Sequence, residues 1–348
     1  MAPTSVAIIG AGIFVKEQHL PAVLVTPLLT LKAIYSRSIK SAKGTAELVP
    51  SSNGPVDLYS ADSGAGKELT DLLARDDIPA VIIALPIRDQ PEFIELALRA
   101  GKHVLAEKPA GPTLSSGQKL LETYHSIAKE KNVTWAVAEN FRFVPKFVWA
   151  AAEVKKLGRV IGFNFRIFSF VKEGGKYFET EWRKNPTHNY GFILDGGVHS
   201  TAVVRMLLGD DAAQSAIGYS CLAQKHLPPV DTLSAVIRTK AGAVGSFNIS
   251  FGTTLKASEY SVACENGSVT IDGDKGYVLK DGQKVEERNF PWQSGVKEEV
   301  QAWATALQEG KPNHLQTPEE GLADLELLEA MLKSADEDGV SKVLKLQS

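Results

Sequence analysis

Cysteine is scarce in this chain. Its 348 residues contain only Cys221 and Cys264, and these two form no CxxC or Cys/His spacing. Neither a disulfide framework nor a zinc site is therefore predicted, and no other ligand cluster indicates a metal. We expect both cysteines to be small apolar residues of a core.

Excess charge and long hydrophobic runs are also missing. The formal net charge is -3, which indicates neither a nucleic acid nor an acidic membrane surface as a partner. No apolar run approaches the length of a membrane span, and the N-terminal MAPTS lacks the charged region of a signal peptide. We therefore expect a cytoplasmic protein. The composition is that of an ordinary globular protein, with 44% hydrophobic and 23% charged residues, and the length suits two domains.

The first part of the chain alternates short apolar runs with amphipathic segments. Such runs are typical of buried parallel strands, and the rhythm predicts a doubly wound sheet. We therefore expect a Rossmann domain over residues 1–123. The predicted strands are VAIIG (6–10), LKAIYS (31–36), AVIIAL (80–85) and KHVLAE (102–107).

After residue 124 the pattern changes to longer alternating strands separated by turns such as KAG, ENG and KDGQ. This pattern is typical of an antiparallel sheet. Residues 124–348 are therefore predicted to form an α+β domain with a large, mostly antiparallel open sheet, within an α/β protein overall. One face needs helices, expected near 194–208, 295–309 and 318–337, and the other is free for a second copy of the chain.

The segment GAGIF, Gly10 to Phe14, follows a predicted strand and precedes a predicted helix. In that context two glycines allow a tight turn whose backbone N–H groups approach the phosphates of a dinucleotide. The third glycine of the usual motif is replaced by Val15, which predicts a displaced helix but leaves the phosphate-facing groups in place. The alternative is a glycine turn of an ordinary α/β protein.

The second strand ends in Ser36, Arg37 and Ser38, with Lys40 just beyond. An acidic residue that binds a ribose 2′-hydroxyl usually stands here. A guanidinium can instead bind a 2′-phosphate through charge-assisted hydrogen bonds. These residues favour NADP over NAD; a solvated basic loop is the alternative.

Glu107 ends the strand KHVLAE, and Lys108 and Pro109 follow it, at the edge of the sheet where ligands of open α/β folds bind. A lysine there can exchange a proton with a substrate oxygen. A surface lysine is the alternative interpretation.

Asp195 and His199 are four residues apart in a predicted helix and project from one face. The carboxylate can orient the imidazole, which can exchange a proton with a hydroxyl or carbonyl. Alternatively, Asp195 caps the helix and His199 is structural.

Taken together, these motifs resemble the glucose–fructose oxidoreductase, inositol dehydrogenase and rhizopine-catabolism (Gfo/Idh/MocA) family over nearly the whole chain. GAGIF with a following HLP, together with DGGVH, is similar to its fungal NADP-dependent branch. The resemblance implies a Rossmann domain, a C-terminal domain that often assembles through its sheet, and proton-transfer roles for Lys108 and His199 beside Asp195. It also implies that Trp182 and Arg183 border the nicotinamide.

Two departures separate the chain from that family pattern. Ala202 stands where many members have an aspartate, and Leu85-Pro86-Ile87-Arg88 replaces a TPN-like stretch. Both departures weaken the case for a standard sugar or inositol substrate. Among the aromatic residues, Phe141, Phe143, Trp182 and Tyr190 are candidates for an apolar pocket wall, whereas Phe163, Phe165 and Phe247 are expected in the core.

These observations predict an NADP(H)-dependent oxidoreductase that transfers a hydride between nicotinamide C4 and a carbonyl or hydroxyl carbon of a sugar, polyol, aldehyde or diketone. A non-catalytic NADP(H)-binding redox sensor or regulator is the alternative. A homo-oligomer through the C-terminal sheet is expected. The predicted cofactor contacts are Gly10, Gly12, Ile13, Phe14, Ser36, Arg37, Ser38, Lys40, Leu85, Pro86, Glu107, Lys108, Asn140, Trp182 and Arg183. The predicted substrate contacts are Lys108, Phe141, Arg142, Tyr190, Asp195 and His199.

Overall fold

A computed structural model describes residues 2–347. The chain forms two compact units, one of residues 1–140 with 294–321 and the other of residues 141–293 with 322–348. The first unit thus extends past the expected boundary at residue 123, because a sixth strand joins its sheet and a late helix returns to it. Within residues 2–347, no helix has the length and apolar character needed to cross a membrane.

The first unit contains a six-stranded parallel sheet of order β3-β2-β1-β4-β5-β6. The predicted doubly wound sheet is therefore confirmed. The apolar pattern missed β3 and β6, although it predicted β4, which has the same length of four residues. The strands are β1 Thr4–Ile9, β2 Leu29–Ser36, β3 Asp57–Ser60, β4 Ala80–Ile83, β5 His103–Glu107 and β6 Trp135–Ala138.

Helices accompany this sheet, and apolar residues of α1 and α9 share a core with β1 and β2. Burial of those side chains supplies much of the free energy that holds α9 to this unit, although it follows the other unit's sheet in the chain. Gly101, with φ +78°, follows the end of α4 in the left-handed conformation that is common after helices. The helices are α1 Leu20–Val25, α2 Ile39–Ala46, α3 Leu69–Leu73, α4 Gln90–Arg99, α5 Leu114–Lys131 and α9 Val296–Glu309.

The second unit contains a nine-stranded sheet of order β14-β13-β12-β11-β7-β10-β9-β8-β15. The mostly antiparallel sheet is confirmed; the β7–β10 pair is parallel. The strands are β7 Val160–Phe168, β8 Ala213–Cys221, β9 Thr232–Thr239, β10 Val244–Ser250, β11 Ala257–Cys264, β12 Gly267–Asp272, β13 Lys275–Lys280, β14 Gln283–Asn289 and β15 Lys342–Val343.

Helices α6 and α8 pack against strands of this sheet. Side chains alternate along the strands, so the buried ones, including Phe165 and Phe247, point to one face and the exposed ones to the other. The expectation for the cysteines holds for Cys264 but is wrong for Cys221, which ends β8 on the exposed side. The remaining helices are α6 Pro145–Lys156, α7 Glu181–Lys184, α8 Gly191–Leu208 and α10 Pro318–Asp336, the last crossing from the first unit into the second.

Candidate functional site

The carboxyl edge of the parallel sheet gathers most of the predicted cofactor residues. Each predicted segment follows a strand of this sheet, and parallel strands end at the same edge. The structure therefore brings together residues that are up to 130 positions apart in the chain. They are Gly10 to Phe14 after β1, Ser36 to Lys40 at the end of β2, Leu85 and Pro86 after β4, Glu107 and Lys108 at the end of β5, and Asn140 after β6.

The two glycines of the first turn have different physical requirements. Gly10 has φ +130°, and a Cβ at this position would lie 2.3 Å from the carbonyl oxygen of Ala84. Only glycine fits there. A Cβ at Gly12 would meet no atom within 4 Å, so this glycine faces open space. That open space beside exposed backbone fits the pyrophosphate of a dinucleotide.

Val15 changes the start of the following helix. Residues Val15–His19 form a π-helical turn before α1 begins at Leu20. The Val15 side chain is buried, and its Cγ2 lies 3.5 Å from the position that a Gly10 Cβ would have. The expected displacement of the helix therefore takes the form of this wider turn.

The connection from β2 to α2 contains the predicted basic residues. Ser38 caps α2, since its Oγ accepts a hydrogen bond from the Ser41 N–H at 3.3 Å. Arg37 and Lys40 are exposed, so their charges are accessible to a phosphate. Asp62, which no sequence motif indicated, also contacts this connection, since its Oδ1 accepts the Ile39 N–H at 2.7 Å.

Glu107 contacts a histidine that the sequence motifs did not identify as functional. His19 Nε2 lies 2.6 Å from Glu107 Oε1, and the His19 ring is fully buried. The only indication of His19 in the sequence was its position in the HLP stretch. Lys108, the next residue, is partly buried, and its peptide bond to Pro109 is cis. The contact orients the carboxylate that precedes the predicted proton-transfer lysine.

A buried acid lies in the same unit. Glu299 of α9 has no exposed surface, and neither of its carboxyl oxygens has a hydrogen-bond partner among residues 2–347. Burial raises the pKa of Glu299 well above its ordinary value, and the nearby Glu107 and Glu139 carboxylates raise it further. The environment therefore favours the neutral acid.

Asn140 lies after β6, where its side-chain amide is anchored. Its Nδ2 donates to the Ser294 carbonyl at 2.5 Å, and Ser294 Oγ donates to Gln18 at 2.7 Å. Both contacts are within the first unit. They place the amide beside the turn that begins α1.

In the second unit, Asp195 and His199 lie one turn apart on α8, as predicted. Because α8 begins at Gly191, Asp195 stands inside the helix and does not cap it. Asp195 Oδ2 accepts a hydrogen bond from Arg183 Nε at 2.7 Å. The guanidinium carbon of Arg183 lies 4.0 Å from the centre of the Trp182 ring, a cation–π contact. This contact brings together three of the predicted residues.

His199 is oriented by an aromatic neighbour. Its ring stacks on Phe141, with centroids 4.5 Å apart and planes 17° apart. Phe141 in turn stacks on Phe147 of α6. Phe141 therefore covers one face of the imidazole.

Arg142 and Tyr190 have other partners. Arg142 is 3% exposed, and its Nη2 lies 2.6 Å from both carboxyl oxygens of Asp324. The Tyr190 hydroxyl donates to Asp336 Oδ2 at 2.8 Å, and burial followed by this contact raises the pKa of Tyr190. These placements favour structural roles for both residues. Over the described residues 2–347, no group of three or more His, Cys, Asp or Glu side chains could hold a metal ion.

A parallel sheet with a glycine turn and a lysine at its carboxyl edge, linked to a large open sheet, defines the class of NAD(P)-binding oxidoreductase folds. Family models agree. Residues 4–138 match the NAD-binding Rossmann fold of the Gfo/Idh/MocA oxidoreductase family, and residues 152–343 match that family's C-terminal alpha/beta domain. The chain belongs to the Gfo/Idh/MocA family.

Known proteins resemble the chain over nearly its full length. Dehydrogenase FPY6 of Fusarium mangiferae is 38% identical, with 98% of this chain and 99% of the relative covered. An oxidoreductase of Thermotoga maritima superposes with a TM-score of 0.85 at 30% identity, covering 98% of both chains. KijD10, a 3-ketoreductase from Actinomadura kijaniata crystallised with NADP and TDP-benzene, has a TM-score of 0.77 at 22% identity, with 95% and 98% covered, and this likeness concerns the fold.

Proposed function

We propose that this protein is an NADP(H)-dependent oxidoreductase acting on a carbonyl or hydroxyl carbon of a small substrate. The observation that carries the proposal is the first unit's sheet edge, where an open glycine turn, exposed Arg37 and Lys108 lie together. When bound, the cofactor would supply or accept the hydride. The chain must hold it, orient the substrate and move one proton.

Cofactor binding would rest on the β1 and β2 connections. The backbone at Gly10 to Phe14 would hold the pyrophosphate, with the open space at Gly12 admitting its oxygens. Arg37 and Lys40 would bind a 2′-phosphate, and Ser38 lies between them in the sequence. Leu85, Pro86 and Asn140 border the same edge. Solved structures of this fold contain either NAD or NADP, so the choice of NADP rests on these basic side chains.

Proton transfer would belong to Lys108 or His199. Lys108 follows Glu107, whose carboxylate is held by His19. The His199 ring stacks on Phe141, and Asp195 one turn away is paired with Arg183. Each residue therefore has a fixed neighbour, which a positioned proton donor or acceptor requires.

The substrate class is narrower than the family as a whole. Ala202 is fully buried in α8, so the polar contact that many members make from that position is missing. Arg183 and Trp182 instead offer a cation and an indole face. This set favours a small aldehyde or diketone over a sugar or polyol with hydroxyl groups on every carbon.

Steady-state assays with two substrate panels test the proposal. NADPH consumption is followed with aldehydes, diketones and ketosugars, and NADP reduction with polyols. Lys108→Met should abolish turnover on any substrate found, because the lysine would either exchange the proton or polarise the carbonyl while His199 exchanges it. The NADPH dissociation constant should stay within about twofold. Lys119→Met, an exposed lysine on α5, is the control and should keep wild-type turnover.

Three outcomes have distinct meanings. Full turnover by Lys108→Met would refute the role of this lysine. Tight NADPH binding without turnover on either panel would favour the redox sensor. Failure of the wild-type protein to bind NADPH or NADH would refute the proposal altogether.

A further inference from the structure

A carboxylate stands at the start of α2, among the residues proposed to bind the adenosine end of the cofactor. Asp62 follows β3, which pairs with β2 in parallel. Its Oδ1 accepts hydrogen bonds from the Ile39 N–H at 2.7 Å and from Ser60 Oγ at 2.6 Å. Ile39 is two residues after Arg37, so the acid and the basic residues share one end of the sheet.

The carboxylate is fixed and charged. Ser60, which donates to it, is fully buried at the end of β3 and has little freedom to move. The hydrogen bonds from Ser60 and then Ile39 lower the pKa of Asp62. Asp62 is therefore ionised at neutral pH, and it occupies a backbone N–H at the start of α2 that an anion would otherwise bind.

A fixed negative charge here has opposite consequences for the two nicotinamide cofactors. A ribose 2′-hydroxyl can donate to a carboxylate, whereas a 2′-phosphate is repelled by it. Arg37 and Lys40 have the reverse preference because they attract the phosphate. The two sets of side chains therefore compete over one position of the cofactor.

We propose that Asp62 is a specificity-determining residue that opposes Arg37, weakens binding of the 2′-phosphate and so keeps NADH usable. This inference rests on the proposed nicotinamide-binding function. In NAD-binding folds an acidic residue at the end of the second strand binds the ribose 2′-hydroxyl. Asp62, which follows the third strand, would take that role here. The preference for NADPH or NADH then depends on how far the repulsion of the 2′-phosphate by Asp62 offsets its attraction to Arg37.

Binding of NADPH and NADH to four proteins tests the inference, with dissociation constants from fluorescence titration in the absence of substrate. Asp62→Asn keeps the side-chain shape and an acceptor for the Ile39 N–H. It should tighten NADPH about fivefold, the order expected for removing a like charge that is screened by water, and change NADH less than twofold. Ser60→Ala removes one anchor of the carboxylate and should shift the preference less, in the same direction. Asp76→Asn removes the same charge from the loop between α3 and β4, far from the basic residues in sequence, and should leave both constants unchanged.

The outcomes separate this inference from the proposed function. An NADPH-to-NADH preference unchanged in both Asp62→Asn and Ser60→Ala would overturn the role of Asp62, even though both cofactors bind. Equal tightening of NADPH by Asp62→Asn and Asp76→Asn would reduce the effect to net charge and overturn it too. A wild-type protein that binds neither cofactor would instead overturn the proposed function.

Discussion

The two glycines of the β1 turn provide a sharp test, because the same substitution should damage different properties at each. Gly10→Ala places a Cβ 2.3 Å from the Ala84 carbonyl oxygen, on a backbone with φ +130°. Unfavourable backbone conformation costs about 1–3 kcal/mol, and overpacking a further 1–3 kcal/mol or so. We therefore expect a loss of about 2–6 kcal/mol in the first unit, a large part of a typical domain's stability.

Gly12→Ala should behave in the opposite way. Its added methyl group meets no atom within 4 Å, so the stability should change by no more than about 1 kcal/mol. The methyl group projects into the space proposed for the pyrophosphate. We expect at least about tenfold weaker binding of NADPH, which corresponds to about 1.4 kcal/mol.

Thermal unfolding and cofactor titration on the two variants separate these effects. Gly10→Ala should lower the temperature at which the first unit is half unfolded by roughly 5 to 20 °C. Gly12→Ala should leave this midpoint near the wild-type value. A Gly10→Ala protein with the wild-type midpoint would show that the turn lacks the described conformation. Unchanged NADPH affinity in Gly12→Ala would remove the phosphate from this turn.

Three further predictions concern other parts of the molecule. Arg37→Ala should weaken NADPH by about 1.5 to 3 kcal/mol and spare NADH; equal losses in titrations of both cofactors would contradict the 2′-phosphate assignment. Because the pKa of Glu299 is raised above its ordinary 4.5, the folded state holds this proton more tightly and loses stability as the pH rises above about that value. Thermal melts should therefore show Glu299→Gln gaining on the wild type from pH 5 to pH 9, and a constant difference would refute the buried neutral acid. If the exposed sheet face joins two copies of the chain, Val236→Asp on that face should lower the particle mass measured by sedimentation. Val25→Asp, similarly exposed at the end of α1, should leave this mass unchanged. A monomeric wild-type protein would refute the interface.

The local sequence is enough to predict much of the fold and several features of the candidate site. Apolar runs identify β1, β2, β4 and β5 because both faces of a parallel strand are buried. The glycine turn depends on the positive φ of Gly10, which favours glycine, and the relation of Asp195 to His199 depends on the helical repeat. These features are set within a few neighbouring residues, so the pattern of residue types is enough to predict them.

The partners of the site residues depend on packing over long stretches of chain. Asp62 is 23 residues from Ile39, His19 is 88 from Glu107, and Arg142 is 182 from Asp324. A single sequence contains no periodicity that links such pairs, because each contact exists only after strands and helices from distant segments have packed together. For the same reason Arg142 is a candidate ligand by sequence, whereas the fold buries it in an ion pair with Asp324. Asp62 is an ordinary loop residue by sequence, whereas the fold brings it to the connection that contains Arg37.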